Sequence, residues 1–210
     1  MQRTKQKNHI KQSKSRNFLA GAAFFTLAMG SFSLAAQELN AANLLAMTPQ
    51  QARPYLQQGL PQAGSPGLYE AIAIKAMEQS PPMLDLAQAA SIKILDREPA
   101  NIAAWNRLAF IDIADDGQLS KAGVSYLQKS YALAPYGDLS LMTWRTDFAS
   151  QIWPALPDDL QARTLRQIPV IGRYGTSWQW RIRHCRENPN EAIALAVCAI
   201  APGVNRPNNL

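Results

Sequence analysis

The segment DIADDGQLSKAG, residues 112–123, has several residue types of a calcium-binding loop. It opens with Asp112, and Asp116-Gly117 stands where such a loop has an acidic ligand before its turn glycine. A loop of this kind takes oxygen ligands at its first, third, fifth, seventh, ninth and twelfth positions, with a bidentate Glu last. Here the third position is Ala114 and the twelfth is Gly123. Because the missing Glu is the ligand hardest to replace, we expect a turn between two helices and no metal.

No other group of residues matches a catalytic or cofactor-binding pattern. His184 is the only histidine beyond the N-terminal segment, and beside Arg183 and Arg186 we expect it at the surface or partly packed. The glycines of VIGRYGTS, residues 170–177, lack the spacing and the lysine of a phosphate-binding loop. Asp158 follows Pro157, so we expect it at the N-cap or in the first turn of a helix, where the helix dipole favours an acid. We therefore expect no catalytic residue and no cofactor, and an enzyme would need a site assembled from distant parts of the chain.

The segment SWQWRIRHCRE, residues 177–187, mixes aromatic and cationic side chains. Such a mixture suits an anionic or stacking partner. At helical spacing the cations spread around the axis, so the simpler interpretation is that the tryptophans pack inward while the arginines stay in solvent. The candidate partner-binding residues are Trp178, Trp180, Arg181, Arg183 and Arg186.

Cys185 and Cys198 are the only cysteines, and they fall on the two helices predicted on either side of Asn188-Pro189. Simple antiparallel pairing offsets them by about six residues, or roughly 9 Å at the rise of an α-helix. A disulfide needs its two α-carbons within about 7 Å. A disulfide and a pair of buried free thiols are therefore both open alternatives.

The net charge of +6 comes from the N-terminal segment. Residues 1–17 hold six Lys and Arg and no acid, and an uncharged apolar stretch follows at 18–35. This order is typical of a secretory signal peptide, with cleavage after Ala35 or Ala36, or of an uncleaved membrane anchor. A mitochondrial presequence with an anchor has a similar composition. The bacterial interpretation predicts a body in the periplasm or anchored to the inner membrane, with no nucleic-acid partner and no membrane contact beyond the N-terminal segment.

Prolines recur at similar intervals and indicate repeated helix ends. Each interval holds a second helix breaker, such as Pro81-Pro82 or Asn188-Pro189, so each repeat divides into two segments of helical length. The recurring prolines are Pro66, Pro99, Pro135, Pro169 and Pro202, separated by 33, 36, 34 and 33 residues.

Between these breakers the apolar residues recur every three or four positions, as amphipathic helices require. One predicted stripe is Leu141, Trp144, Phe148 and Ile152, and another is Leu127, Ser130-Tyr131 and Ala134. Alanines in LYEAIAIKAM, LAQAASIKIL and EAIALAVCAI leave room for close helix packing. No segment alternates as a strand does, so we predict an all-α fold.

A further helix is predicted ahead of the repeats, with Thr48 as its N-cap, Pro49 in its first turn and an end near Gly59. The segment GLPQAGSPG, residues 59–67, then leads into the repeats. The predicted division of the chain is a signal peptide or anchor at 1–35, an N-terminal helix and linker at 36–66, helical repeats at 67–202 and a flexible tail at 203–210.

The second repeat resembles a tetratricopeptide repeat (TPR). It has Trp105-x2-Leu108-Ala109 followed by LQKSYALAP, residues 127–135, with a turn about two residues too long. Asp112 replaces the tyrosine of the family's first helix, and the last two units keep the prolines but little else. The preceding unit repeats the pattern at an offset of 36 residues, matching Tyr69 with Trp105, Ile72 with Leu108, Ala73 with Ala109 and Pro99 with Pro135. The resemblance implies a right-handed α-solenoid of stacked antiparallel hairpins, whose concave face binds peptides or proteins and performs no reaction.

Residues 131–165 also resemble small TPR-like proteins associated with bacterial surface-polysaccharide export. The resemblances predict a non-enzymatic interaction or scaffold module that holds a protein partner in the bacterial envelope. The alternative is a direct binder of an acidic saccharide or lipid head group through residues 177–187. Salt separates the two, because a charge-led complex weakens with ionic strength while an apolar groove changes little. The sequence leaves the partner's identity and the oligomeric state open.

Overall fold

The protein is all-α over the part of the chain that the structure describes. A computed structural model describes residues 34–201, and these residues form ten α-helices and no strand. The all-α prediction is confirmed for this range. The predicted leader at 1–35, apart from its last two residues, lies outside the described residues, and so do Pro202 and the predicted tail at 203–210. Within the described range no helix combines the length and apolar character needed to cross a membrane.

Capping side chains and short connections set the helix ends. N-caps are provided by Thr48, Ser65, Asn101, Ser120, Asp138 and Asn190, each accepting a hydrogen bond from a backbone N–H of the first turn. Short 3₁₀ turns at Trp153–Ala155 and Gly175–Ser177 precede two helices. The helices are α1 (34–46), α2 (Pro49–Leu56), α3 (Pro66–Met77), α4 (Leu84–Leu95), α5 (Ile102–Asp116), α6 (Lys121–Leu133), α7 (Leu139–Gln151), α8 (Asp158–Ile171), α9 (Trp178–Glu187) and α10 (Glu191–Ala199).

The described residues divide into two compact units, 34–86 and 87–201. In the first unit α2 begins as predicted, because Thr48 and Gln51 form a capping box across its first turn. The helix ends at Leu56, three residues before Gly59. The buried Tyr69 of α3 fixes the linker between α2 and α3. Its hydroxyl donates to the Pro61 carbonyl at 3.1 Å and accepts from the Gly64 N–H at 3.0 Å.

In the second unit, consecutive helices pack as pairs: α5 with α6, α7 with α8, and α9 with α10. The short connections within these pairs make the two helices of each pair antiparallel. The odd-numbered helices also contact one another. Phe110 of α5 lies 6.2 Å from Phe148 of α7 between ring centroids, and Asp147 of α7 bonds to Trp180 of α9 at 2.8 Å. We call α5, α7 and α9 the odd-helix layer.

The even-numbered helices form the matching set. The hydroxyl groups of Tyr131 on α6 and Thr164 on α8 lie 2.7 Å apart, and α8 packs directly against α10. We call α6, α8 and α10 the even-helix layer. The second unit therefore has two helical layers, with one helix of each pair in each layer.

The alanines that the sequence places at the repeat seam are buried in the helical packing. Ala109 of α5 is fully buried in a cluster with Leu127, Tyr131 and Phe148. In the first unit Ala73 of α3 is equally buried. A methyl side chain at such positions lets two helices approach closely, so a larger side chain would have no free space to occupy.

Two details of the helix prediction are wrong. The first is the helix end predicted at Pro169, because α8 continues through it to Ile171. Pro169 lies in the last turn of α8, where the hydrogen bond lost at its nitrogen interrupts only a helix about to end. The other described prolines of the period lie as predicted, with Pro66 in the first turn of α3 and Pro99 and Pro135 between helices.

The second wrong detail is the buried face of α7. Of the predicted stripe only Phe148 is buried, while Leu141, Trp144 and Ile152 are half-buried. The face that α7 buries is displaced by about one residue, because an arginine occupies its centre and finds hydrogen-bond partners there. That face consists of Met142, Arg145, Thr146, Phe148 and Ala149. On α6 the predicted stripe is confirmed at Leu127, Ser130 and Tyr131, whereas Ala134 lies just beyond the end of the helix and is half-buried.

Candidate functional sites

The calcium-loop candidate forms the turn between α5 and α6. Gly117 ends α5 with φ +67°, a left-handed conformation that glycine adopts without strain. The Asp112 carboxylate accepts hydrogen bonds from the Ser120 N–H at 2.8 Å and from its hydroxyl at 2.6 Å. Gly123 packs so closely that a Cβ there would clash with this carboxylate. Asp112 therefore organises the start of α6, and among the described residues no group of three or more His, Cys, Asp or Glu could hold a metal ion.

Asp147 of α7 connects several residues of the Arg/Trp segment. Its Oδ1 accepts from the Trp180 indole N–H at 2.8 Å and from His184 Nε2 at 2.9 Å. Its Oδ2 lies 3.9 Å from the Arg183 guanidinium. The Trp180 and His184 rings stack with centroids 4.4 Å apart. These contacts use Trp180 and His184 to attach α9 to α7, so neither side chain is free to bind a ligand through its polar atoms.

His184 has hydrogen-bond partners on both ring nitrogens. Its Nδ1 lies 2.7 Å from the Asn188 amide nitrogen, and the Asn188 oxygen accepts from the Asn190 N–H at 2.8 Å. That second bond fixes the orientation of the Asn188 amide, which therefore donates to Nδ1 and leaves the ring proton on Nε2, facing Asp147. A histidine held in this way cannot accept a proton from a substrate without first breaking a bond. His184 is buried, whereas the sequence predicts a surface or partly packed position.

The remaining residues of the segment divide between internal contacts and solvent. Arg181 donates to the Ile200 carbonyl at 2.9 Å, and its guanidinium lies 5.3 Å from the Trp178 ring centroid. Trp178 is exposed, and so is Arg186. The simpler interpretation of the segment is therefore correct for Trp180, Arg183 and Arg186, but Trp178 stays at the surface and Arg181 bonds to the protein.

Cys185 and Cys198 are joined by a disulfide that connects α9 with α10. Their α-carbons lie 4.7 Å apart, closer than simple pairing of the two helices predicts. The connection explains the difference, because Asn188 and Asn190 are both extended. The three connecting residues 188–190 can span up to about 10 Å, enough to displace α10 along α9 so that Cys198 comes level with Cys185.

Arg145 is the largest fully buried side chain of the described residues, with 1% of its surface exposed. Its guanidinium donates to the Ser130 hydroxyl at 2.7 Å and to the Ala134 carbonyl at 2.6 Å, and it lies 4.4 Å from the Tyr131 ring centroid. No carboxylate of the described side chains forms an ion pair with it. Arg145 thus binds the carbonyl end of α6, where the helix dipole favours a cation.

Burial shifts the pKa values of both members of this contact. Burial lowers the pKa of Arg145 to about 10, and the Tyr131 hydroxyl partly counters that effect. Burial raises the pKa of Tyr131, while the hydrogen bond to Thr164 and the charges of Arg145 and Arg163 oppose the shift. At neutral pH Arg145 is cationic and Tyr131 is neutral. A positive charge is therefore held permanently beneath the Tyr131 ring.

The odd-helix layer exposes aromatic and charged side chains side by side. Phe110 keeps 38% of its surface exposed, and its ring and that of Trp144 both contact the Phe148 ring. The Asp147 and Arg183 side chains are also partly exposed. We call Phe110, Trp144, Asp147 and Arg183 the odd-layer surface. Aromatic residues and arginine are enriched at protein interfaces, and the facing charges of Asp147 and Arg183 leave the surface without a net charge.

Sequence reasoning does not identify Asp147 or Arg145 as important residues. Asp147 has partners 33 and 37 positions along the chain, at a distance that no local pattern reveals. Arg145 does have a sequence signature, because it lies between Met142 and Ala149 at helical spacing. An arginine on an otherwise apolar stripe indicates a buried hydrogen-bonded cation.

Comparison with known proteins identifies no relative. The sequence matches no protein-family model, and neither a curated protein nor a solved structure matches it. Functional inference therefore depends on the geometry of the chain itself.

Proposed function

We propose that this protein is an exported, non-enzymatic interaction module of the bacterial envelope, built as a TPR-like right-handed α-solenoid, and that its odd-layer surface binds a protein partner. The partner presents apolar and aromatic side chains to Phe110 and Trp144. Surface-polysaccharide export or assembly is the proposed setting.

One observation carries the proposal, namely the two-layer packing of paired helices over residues 87–201. Each of the pairs α5/α6, α7/α8 and α9/α10 contributes one helix to each layer. In solenoid proteins such stacking creates an extended surface made by one helix of every pair, and that surface binds partners. The alanine seam at Ala109 and its equivalent Ala73 is consistent with closely packed repeated hairpins.

Two features support export. The N-terminal segment has the basic and apolar order of a leader, and the disulfide between Cys185 and Cys198 suits an oxidising compartment. In a reducing cytosol the same two cysteines would remain free thiols and the disulfide would not persist.

The contacts of the Arg/Trp segment favour a protein partner over a ligand bound through residues 177–187. Trp180, His184 and Arg183 face Asp147, and Arg181 bonds to a backbone carbonyl. An anion at this segment would have to displace the Asp147 carboxylate or overcome its repulsion. The odd-layer surface offers exposed aromatic area without that cost.

Site-specific photo-crosslinking in living cells tests the proposed surface. A benzophenone amino acid replaces Phe110 in the odd-helix layer, and the matched control replaces Leu195 of α10, which is 58% exposed in the even-helix layer. We expect Phe110 to capture one defined protein from the envelope fraction and Leu195 to capture none. Both variants must retain the helical content of the wild type.

The same experiment can contradict the proposal in two ways. Equal capture from Phe110 and Leu195 would indicate nonspecific contact and remove the odd-layer surface as the binding site. Recovery of the full-length chain in the cytoplasm, with its cysteines reduced, would remove the exported location independently of the crosslink.

A further inference from the structure

A basic cavity lies in the even-helix layer, away from the odd-layer surface. It has a volume of about 320 Å³ and is lined by Tyr131, Pro135, Tyr136, Arg163 and Arg166. The volume is at the lower end of the range of about 300–1,000 Å³ that small-molecule sites occupy. The cavity is therefore large enough for a small organic molecule.

The walls of this cavity are held in place by buried contacts. The Tyr131 hydroxyl bonds to Thr164, and the Gln167 amide nitrogen donates to the Pro135 carbonyl at 2.7 Å. Both Thr164 and Gln167 are fully buried on α8. The loop that carries Tyr136 is thereby fixed against the helix that carries both arginines, and the cavity does not have to form when a ligand arrives.

The charge around the cavity is strongly positive. Arg166 forms no ion pair or hydrogen bond with the described residues, and Arg163 has only a loose contact with Asp159 at 3.9 Å. Both arginine side chains extend toward solvent, but the buried guanidinium of Arg145 adds a third positive charge behind the Tyr131 ring. The lining itself carries two cations and no acid, and Arg145 lies beneath one wall, so the cavity favours an anion.

We propose that this cavity binds a phosphate monoester. The guanidinium groups of Arg163 and Arg166 hold the phosphoryl oxygens, for which the planar guanidinium is well shaped. Two cationic side chains match a dianion better than a carboxylate, which has a single charge. The organic part of the ester lies against Tyr136 and Pro135, the aromatic and apolar walls. This site is independent of the proposed partner surface, so either proposal can fail without the other.

Titration of the isotope-labelled full-length chain with phenyl phosphate, followed by NMR, tests the site. We expect saturable shifts at residues 131–136 and 163–167, with a dissociation constant of about 1 mM or below. Arg163→Gln and Arg166→Gln should each weaken binding roughly tenfold or more, because each removes a charged hydrogen-bond donor. Arg186→Gln, an equal change of charge at an exposed position of α9, should leave affinity within about twofold.

Two comparisons define the ligand more closely. Tyr136→Ser should weaken phenyl phosphate without affecting inorganic phosphate, since only the ester has a ring to pack. Benzoate should bind at least about tenfold more weakly than phenyl phosphate.

Vesicles of phosphatidylcholine with and without phosphatidic acid show whether the bound phosphate belongs to a soluble ester or to a lipid. Binding of the soluble ester assigns a soluble phosphate, whereas binding to phosphatidic acid alone, lost in Arg163→Gln and Arg166→Gln, assigns a lipid head group.

Three results would overturn the proposal. The first is the absence of saturable binding of either phosphate source up to about 10 mM. The second is equal weakening by Arg186→Gln and Arg166→Gln, which would indicate attraction to the net charge or to the Arg/Trp segment. The third is equal affinity for benzoate and phenyl phosphate. The melting temperature of each arginine variant serves as the control for unfolding, and we expect it to equal that of the wild type.

Discussion

Replacing Arg145 tests the buried network between α6 and α7. The guanidinium makes four hydrogen bonds, two to the Ser130 hydroxyl and one to each of the Ser130 and Ala134 carbonyls. Arg145→Ala removes all four and leaves a cavity and a carbonyl without its donor. Against this loss stands the desolvation cost of the guanidinium, which its lowered pKa of about 10 reflects. Truncation of a fully buried side chain to alanine typically costs about 2–5 kcal/mol. Because the substitution also leaves a buried acceptor of α6 without its donor, we expect the upper half of this range for Arg145→Ala.

Arg145→Met separates the polar contribution from the packing contribution. Methionine fills most of the space of the arginine stem but donates no hydrogen bond, so the expected loss is smaller, about 2–3 kcal/mol. Arg166→Met, at an exposed position on α8, serves as the control and should stay within about 0.5 kcal/mol of wild type. Urea denaturation followed by far-ultraviolet circular dichroism gives the free energies of unfolding. An Arg145→Met variant as stable as wild type would show that desolvation cancels the hydrogen bonds, and would refute this account of the network.

Three further tests concern other parts of the structure. The pKa of Tyr131 is raised in the folded state, so the stability that its neutral hydroxyl provides is present below about pH 10 and is lost as pH rises further. The difference in unfolding free energy between wild type and Tyr131→Phe should therefore stay constant up to about pH 9 and shrink as the pH rises above about 10, as measured by urea denaturation at each pH; a constant or growing difference above about pH 10 would be inconsistent with that shift. Cys198→Ser opens a loop with a sequence separation of 13 residues and should cost about 3 kcal/mol under oxidising conditions, with no difference from wild type once both are reduced. Ala109→Leu and Ala73→Leu should each cost about 1–3 kcal/mol because both alanines are fully buried, whereas exposed Ala114→Leu should be nearly neutral; equal stability of all three variants would count against closely packed helical hairpins.

Local rules in the sequence predict most helix ends of this chain. Thr48 begins α2 because its hydroxyl and the Gln51 side chain satisfy the first-turn N–H groups, an arrangement that depends on neighbouring residues only. Pro169 is the exception, since a proline in the last turn of a helix has the same local pattern as one just beyond it. Whether the helix continues depends on the packing of Ile168 and Ile171, both fully buried, and local sequence does not specify that packing.

The candidate sites are less predictable because their contacts are long-range. The sequence groups Trp178, Trp180 and the arginines of α9, but the residue that binds Trp180 and His184 is Asp147 on another helix. The disulfide forms because the connection between α9 and α10 displaces α10 along α9. Helical spacing alone does not give the size of that displacement. The basic cavity requires α6, α8 and the loop at Tyr136 to meet, so no single stretch of sequence contains it.

The affinity of the crosslinked partner for the purified protein tests the central proposal most directly. We expect Phe110→Ser to weaken this affinity about tenfold or more, as truncation of an aromatic interface residue commonly does, and Leu195→Ser to leave it within about twofold. Because the odd-layer surface has no net charge, raising sodium chloride from about 50 to 500 mM should change the dissociation constant less than about threefold. Unchanged affinity in Phe110→Ser, or a steep loss of affinity with salt, would contradict an apolar partner surface on the odd-helix layer.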